Sequence, residues 1–133
     1  MIYLLDTNVC IVHLRSKGQS RLSQRLRAVH PNDIRLCSVV CGELLAGAYY
    51  SGRSAVNLAE TQAFLKLFES LPFDDRAAEP YARLWAAQEA NGQRMKSNDL
   101  MIASIALLED LTLVTQDIND FSRIPGLRIE DWQ

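Results

Sequence analysis

Four carboxylates stand out in the 133-residue chain for the settings they occupy. Asp6 closes the apolar run Ile2-Tyr3-Leu4-Leu5, and Glu43 comes early in a helical stretch after Ile34 to Cys37. Asp99 opens the apolar segment Leu100 to Leu108, and Asp117 follows the β-branched run Leu111 to Thr115. If they converge, their chemistry is constrained. Two carboxylates about 4 Å apart repel by roughly 4 kcal/mol at an effective dielectric near 20. Three or four together therefore need protons or cations. Hard oxygen ligands without His or Cys favour Mg²⁺ or Mn²⁺ over zinc, in a site that keeps waters and takes up substrate phosphate. Such a centre suits phosphodiester hydrolysis: one or two metal ions neutralise the phosphate oxygens, activate water and steady the leaving oxygen, while the carboxylates hold the metals and help orient the water.

Each carboxylate has an ordinary alternative. Asp6 is placed to cap the next helix, Asp99 gains from the macrodipole of a first turn, and Asp117 suits the turn Gln-Asp-Ile-Asn-Asp, where Asp120 competes with it. Glu43 has Val40, Ala46 and Gly47 as helical neighbours, which predicts a buried face where an idle carboxylate is unfavourable. Thr7, Asn8, Ser38 and Thr115 form a candidate supporting shell, although caps and turns explain them equally well. Arg94 and Lys96 flank the approach to Asp99 and are candidate phosphate contacts.

These residues need a scaffold. Ile2 to Leu5 reads as a buried strand, followed by a short helix from Val9 to Leu14 with Asp6, Thr7 or Asn8 as its cap. Leu22, Leu26 and Val29 are spaced for a second helix, and Ile34 to Cys37 for a second strand. Val39 to Tyr50 turns helical with Gly52 as its stop, and Ala55 to Phe68 reads as another helix. Leu71 to Phe73 is a short strand or connector. Asp74 or Asp75 then caps a helix running to about Asn91 and ended by Gly92. Leu100 to Leu108, apolar on nearly every side, predicts a buried helix. Leu111 to Thr115 and Leu127 to Ile129 complete the strands. The alternation predicts a single α/β domain over residues 1–133, its central, mainly parallel sheet flanked by helices. Sites in such sheets form at the carboxyl ends of strands, where the four acids fall.

At these residues the sequence resembles the PIN-domain family, specifically the VapC-type toxins of bacterial toxin–antitoxin pairs. Met-Ile-Tyr-Leu-Leu-Asp-Thr-Asn matches the family's opening strand and acid. Ser38 to Ala48 is similar to its second motif, in which a Glu precedes Leu-x-x-Gly. Asn98 to Leu107 looks like the third, an Asp leading into an Ile-Ala-rich helix. Leu113 to Asp117, with Asp120-Phe121 and Ile124 to Leu127, resembles the C-terminal segment. The resemblance implies a PIN fold and Mg²⁺- or Mn²⁺-dependent endoribonuclease activity on structured RNA such as transfer or ribosomal RNA. It also implies a homodimer inhibited by a cognate VapB-type antitoxin, which threads a C-terminal segment into the toxin's groove. Operator DNA would be bound only through the antitoxin. The sequence departs from the family in carrying Lys96 where Gly often stands three residues before the Asp. The fourth acidic position varies between Asp and Asn and is filled here by Asp117.

Composition sets outer limits. Hydrophobic residues make up 48% and charged residues 23%, with net charge −2; this profile fits a globular domain and argues against a generic polyanion binder. Residues 1–53 carry seven Lys or Arg and three Asp or Glu, the remainder seven and thirteen. Arg15, Lys17, Arg21, Arg25 and Arg27 are either solvated helix faces or, together, a patch for phosphates. No apolar run approaches the roughly 20 residues of a membrane span. Asp6 interrupts the apolar start and no cleavage site follows, so a cytoplasmic protein is expected. Cys10, Cys37 and Cys41 lack CxxC spacing and read as small apolar residues. His13 and His30 suggest capping or surface roles; Tyr49, Tyr50, Trp85 and Trp132 suggest core or interface. Two rival readings remain. A receiver-like phosphoacceptor domain lacks a Lys after Lys96 to complete its pocket, and the intact acidic set argues against a catalytically silent PIN-fold binding module.

Overall fold

The computed structural model describes residues 1–133. Five strands, Tyr3–Leu5 (β1), Ile34–Cys37 (β2), Glu69–Leu71 (β3), Thr112–Val114 (β4) and Arg128–Glu130 (β5), form one sheet in the order β3-β2-β1-β4-β5. Every neighbouring pair is parallel, so the sheet is wholly rather than mainly parallel. The helices are Thr7–Arg15 (α1), Arg21–Arg27 (α2), Ser38–Tyr50 (α3), Ser54–Leu65 (α4), Asp75–Asn91 (α5), Ser97–Leu108 (α6) and Ile118–Phe121 (α7). None is long and apolar enough to cross a membrane.

The chain's apolar runs explain this order. Strands covered on both faces lose the polar alternation of half-exposed ones. Leu4 and Leu5 of β1 and all of Thr112-Leu113-Val114 in β4 are buried, whereas Glu69 and Ser70 in edge strand β3 are exposed. The strand direction reverses its order of addition beside β1, so the carboxyl ends of β1, β2 and β4 meet around one crevice. Leu100, Ile102, Ala103, Ile105 and Ala106 bury α6 along most of its circumference, as its mostly apolar sequence predicts; Ser104, buried among them, donates to the Leu100 carbonyl at 2.6 Å. Gly92 ends α5 at φ +68°, a left-handed conformation that costs glycine little.

Three elements differ from the sequence reading. β3 is Glu69–Leu71, two residues earlier than predicted, because Pro72 has no amide to give a ladder. Ile118–Phe121, where the sequence suggested a turn, is one short helix capped by Asp117 and anchored by buried Phe121. Tyr49 and Tyr50 lie in solvent, 67% and 94% exposed, so of the core and interface roles expected for them the core one does not apply.

Trp132 closes the core from the C-terminal end. Only 1% exposed, it meets Tyr3 edge-on at 5.0 Å between centroids, and its indole N–H donates to Glu130 at 3.0 Å. The Arg25 guanidinium lies over the ring at 5.5 Å. Trp132→Ala is expected to cost about 3–5 kcal/mol and to lower Tm by roughly 10 °C or more. Urea unfolding measures it; a change below about 1 kcal/mol would show that the indole is dispensable.

Candidate active site

Asp6 leaves β1 directly into α1 and is buried, 5% exposed. Its backbone N–H donates to the Val114 carbonyl at 3.0 Å, which fixes it beside the end of β4. One side-chain oxygen accepts from the Thr7 amide at 2.8 Å and the other from the Thr115 hydroxyl at 2.8 Å. The capping reading of Asp6 is thereby realised, and the same side chain also takes the bond from Thr115. Each carboxylate oxygen has two acceptor positions, so both keep one for another group. Burial pushes the Asp6 pKa up. The bonds from Thr115 and Thr7 pull it down, and the charges of Glu43 and Asp117 push it up again.

The Thr7 hydroxyl donates to Glu43 Oε1 at 2.8 Å, tying the first turn of α1 to the second turn of α3. Glu43 is half-buried, while Ala46 and Gly47 are exposed, so the predicted buried face is instead the wall of an open groove. Asp99 lies in the first turn of α6. Its pKa is pushed up to about 6, first by burial, then by the charges of Asp6, Glu43 and Asp117; Lys96 opposes the rise. Asp117 caps α7 by accepting from the Asp120 amide at 3.3 Å, and its own N–H donates to the Thr115 hydroxyl at 3.0 Å. Asp6 and Asp99 thus each feel the charges of Glu43 and Asp117, and Asp99 also that of Asp6. Asp120 faces Arg123 at 3.7 Å, and it is Asp117 whose charge reaches Asp6 and Asp99.

The remaining sequence candidates divide. Thr7 and Thr115 bond the acids directly. Asn8 is exposed on α1. The Ser38 hydroxyl accepts from the Phe73 amide at 3.0 Å, which fastens β3's exit to α3; its bond serves the scaffold and not a carboxylate. Arg94 pairs with Glu89 at 2.8 Å, whereas Lys96, the residue before α6, carries positive charge to Asp99. His30 caps the turn Pro31–Asp33 by accepting from the Asn32 amide at 3.0 Å. His13 is a correction: it is half-buried, not a cap or free surface, with Nδ1 2.7 Å from the buried Ser23 hydroxyl and its ring against Phe64. Burial and Arg27 lower its pKa.

The donor set tests the metal expectation. No three His, Cys, Asp or Glu side chains stand close enough together to hold a metal ion by themselves. Mg²⁺ commonly uses only one or two carboxylates and otherwise waters and phosphate, and an open group of oxygen donors with uncompensated charge fits that habit. Soft donors do not compete: burial pushes Cys10 well above its ordinary pKa and Cys37 up to about 11, leaving neutral thiols, and no disulfide forms.

A groove of about 340 Å³ opens beside Glu43 between α1, α3 and α4. Ile11, Leu14 and Leu44 give it apolar walls, and Arg15 and Lys17 stand in its lining. Sequence reading missed it. Small residues Gly47 and Ala48 on α3 were the available signal, since they keep that helix from filling the space.

With this geometry in view, the PIN domain model matches residues 3–127. The chain belongs to the PIN-domain family. Among PIN proteins it is similar to Ribonuclease VapC2 of Rickettsia felis, 35% identical with 99% of this chain and 98% of that protein covered. It is also 35% identical to the tRNA(fMet)-specific endonuclease VapC of Salmonella typhimurium, covering 98% and 97%. The structure of VapBC2 from Rickettsia felis bound to a promoter DNA fragment superposes with TM-score 0.92 at 34% identity, covering 100% of both chains. DNA-bound VapBC from Salmonella typhimurium gives TM-score 0.93 at 32% identity, covering 100% of this chain and 99% of that one. Within the PIN family the chain is thereby a VapC ribonuclease toxin of the VapBC toxin–antitoxin type.

The raised pKa of Asp99 has a defined consequence for metal-free protein. A carboxyl whose folded pKa lies above its unfolded value binds protons more tightly when folded, so stability falls as pH rises from about 4 towards 6 and stays reduced above that. Asp6 acts in the same direction. Asp99→Asn is expected to flatten this decline and to raise the metal-free Tm at pH 7. Thermal melts in chelator from pH 4 to 7 decide it; a parent Tm that rises across this window would contradict the repulsive cluster.

Proposed function

We propose that Asp6, Glu43, Asp99 and Asp117 form the catalytic centre of an endoribonuclease that requires Mg²⁺ or Mn²⁺. The observation that carries this reading is the hydrogen-bonded chain from Glu43 through Thr7, Asp6 and Thr115 to the Asp117 amide, at the carboxyl ends of β1 and β4; burial and three other carboxylates raise the Asp99 pKa beside it. A bound divalent cation supplies charge neutralisation on the phosphodiester oxygens and makes water more acidic. Carboxylates among Asp6, Glu43, Asp99 and Asp117, completed by waters and the substrate phosphate, would hold it. Thr115 fixes the orientation of Asp6 and of the backbone before Asp117 with one hydroxyl, and Thr7 does the same for Asp6 and Glu43 through its amide and its hydroxyl. Positioned ligands of this kind lose little freedom when substrate arrives. Glu43, at the mouth of the groove, orients the attacking water. Lys96 meets the phosphate backbone where the strand approaches Asp99; Arg94, already paired with Glu89, contributes less.

The substrate follows by likeness to relatives named for tRNA(fMet): a structured RNA, transfer RNA before ribosomal RNA. The partner is a VapB-type antitoxin whose extended segment occupies the groove beside Glu43. Its apolar side chains would lie against Ile11, Leu14 and Leu44, a basic residue would approach Glu43, and acidic residues would lie towards Arg15 and Lys17. The two similar structures are VapBC complexes on DNA, which supports operator binding through the antitoxin. A homodimer remains the expected assembly, and a metal-assisted hydrolase is favoured over the receiver-like and silent-module alternatives.

Purified protein with Mg²⁺ is expected to cleave tRNA(fMet), and both Asp6→Asn and Asp99→Asn to reduce the rate by at least about 100-fold, the scale of lost transition-state stabilisation. Chelator should abolish cleavage and Mn²⁺ or Mg²⁺ restore it. Cleavage at the parental rate by either variant would remove that residue from the reaction.

A further inference from the structure

A second cavity, of about 110 Å³, lies beyond the acidic centre between the end of α5 and the segment after α7. Leu84, Leu100 and Ile124 supply its apolar surface, and Gln88, Gln93 and Arg123 its polar one. Leu100 directly follows Asp99, and Arg123 and Ile124 follow the short helix that Asp117 caps. The two segments that present these acids to the crevice therefore also wall this pocket, and Lys96 stands between Met95 of the pocket and Asp99.

We propose that this pocket takes up one unstacked pyrimidine of the RNA strand that crosses the acidic centre, making it a base-selecting subsite; this rests on the ribonuclease reading above. Sequence-specific RNA recognition draws on unstacked bases, held by apolar or guanidinium surfaces and read at their edges by hydrogen bonds. The lining contains amides and a guanidinium but no carboxylate, which suits a neutral ring joined to an anionic backbone. The Gln88 carbonyl already accepts from the Met95 amide at 2.8 Å, so that side chain is held in place with its N–H₂ left to donate to a base carbonyl. Gln93, exposed on the rim, offers both a donor and an acceptor. Arg123 is only loosely tied to Asp120 at 3.7 Å and 47% exposed, so its guanidinium plane is available for stacking. Size selects further. At about 110 Å³ the pocket is smaller than the roughly 150 Å³ engineered cavity that encloses benzene, so a six-membered ring enters only in part, through the open mouth, and a fused purine has less room still.

The test uses Mg²⁺-loaded full-length protein and an RNA library randomised across a single-stranded segment, with sequencing of the cleaved ends. Wild type is expected to prefer a pyrimidine at one fixed position beside the cut, on the order of tenfold, the discrimination that about one hydrogen bond to a base edge provides. Ala87→Trp, which plugs the pocket from its α5 rim, and Gln93→Ala should each bring that preference to within about twofold of even, while preferences at other positions persist. Melting curves establish that both variants fold. A purine preference, no preference, or a wild-type preference kept in both variants would overturn the subsite. Absence of any cleavage by wild type would instead overturn the ribonuclease reading, and the subsite with it.

Discussion

The Asp6 carboxylate is carried into the interior at the end of the central strand, where burial and neighbouring acids oppose its charge and two donors, from Thr7 and Thr115, support it. Everything around the crevice is arranged about that opposition. If Thr7 and Thr115 withheld their bonds, the cheapest response would be a protonated, neutral Asp6. With them, the charged form is favoured against burial and the carboxylate is held in one orientation, each oxygen keeping one acceptor position free. Repulsion that a folded domain would ordinarily avoid is thereby stored where a cation or a phosphate-bound cation can relieve it.

The parallel sheet makes this storage possible. Strands β1, β2 and β4 all run the same way, so their carboxyl ends lie on one edge, and each successor helix starts there with unpaired backbone N–H groups. Asp6 and Asp117 use that geometry directly as caps of α1 and α7. Asp99 in the first turn of α6 gains from the helix dipole, although burial and like charges outweigh that gain, as its raised pKa shows. The buried β1–β4 pair keeps the edge rigid, and Trp132 seals the far side of the core. Relatives with 34% and 32% identity keep the same backbone over the full chain, as expected where apolar pattern and turn positions carry the fold.

Most of this was legible in the sequence because the signals are local. The apolar runs, the Asp74 cap and Gly92 stop of α5, and the mostly apolar α6 each depend on neighbouring residues. Asp6, Asp99 and Asp117 stood out because each sits at a strand end or helix start; Glu43, in the second turn of α3, stood out only for a face expected to be buried. What sequence could not supply were relations between distant segments. The pairing of Thr115 with Asp6 spans 109 positions. Ser38 is the same side-chain type as a candidate ligand support, yet the amide near it belongs to Phe73. His13 looked like a surface residue on a short helix until α2 brought Ser23 against it. Both cavities arise where separate helices fail to fill the space between them, and no single segment encodes that.

The most direct examination is a crystal grown with Mn²⁺ and measured for anomalous scattering. A convergent acidic centre predicts a peak within about 2.0–2.2 Å of carboxylate oxygens from at least two of Asp6, Asp99 and Asp117, completed by waters. Strong peaks elsewhere with none in this crevice, at saturating Mn²⁺ and neutral pH, would contradict it.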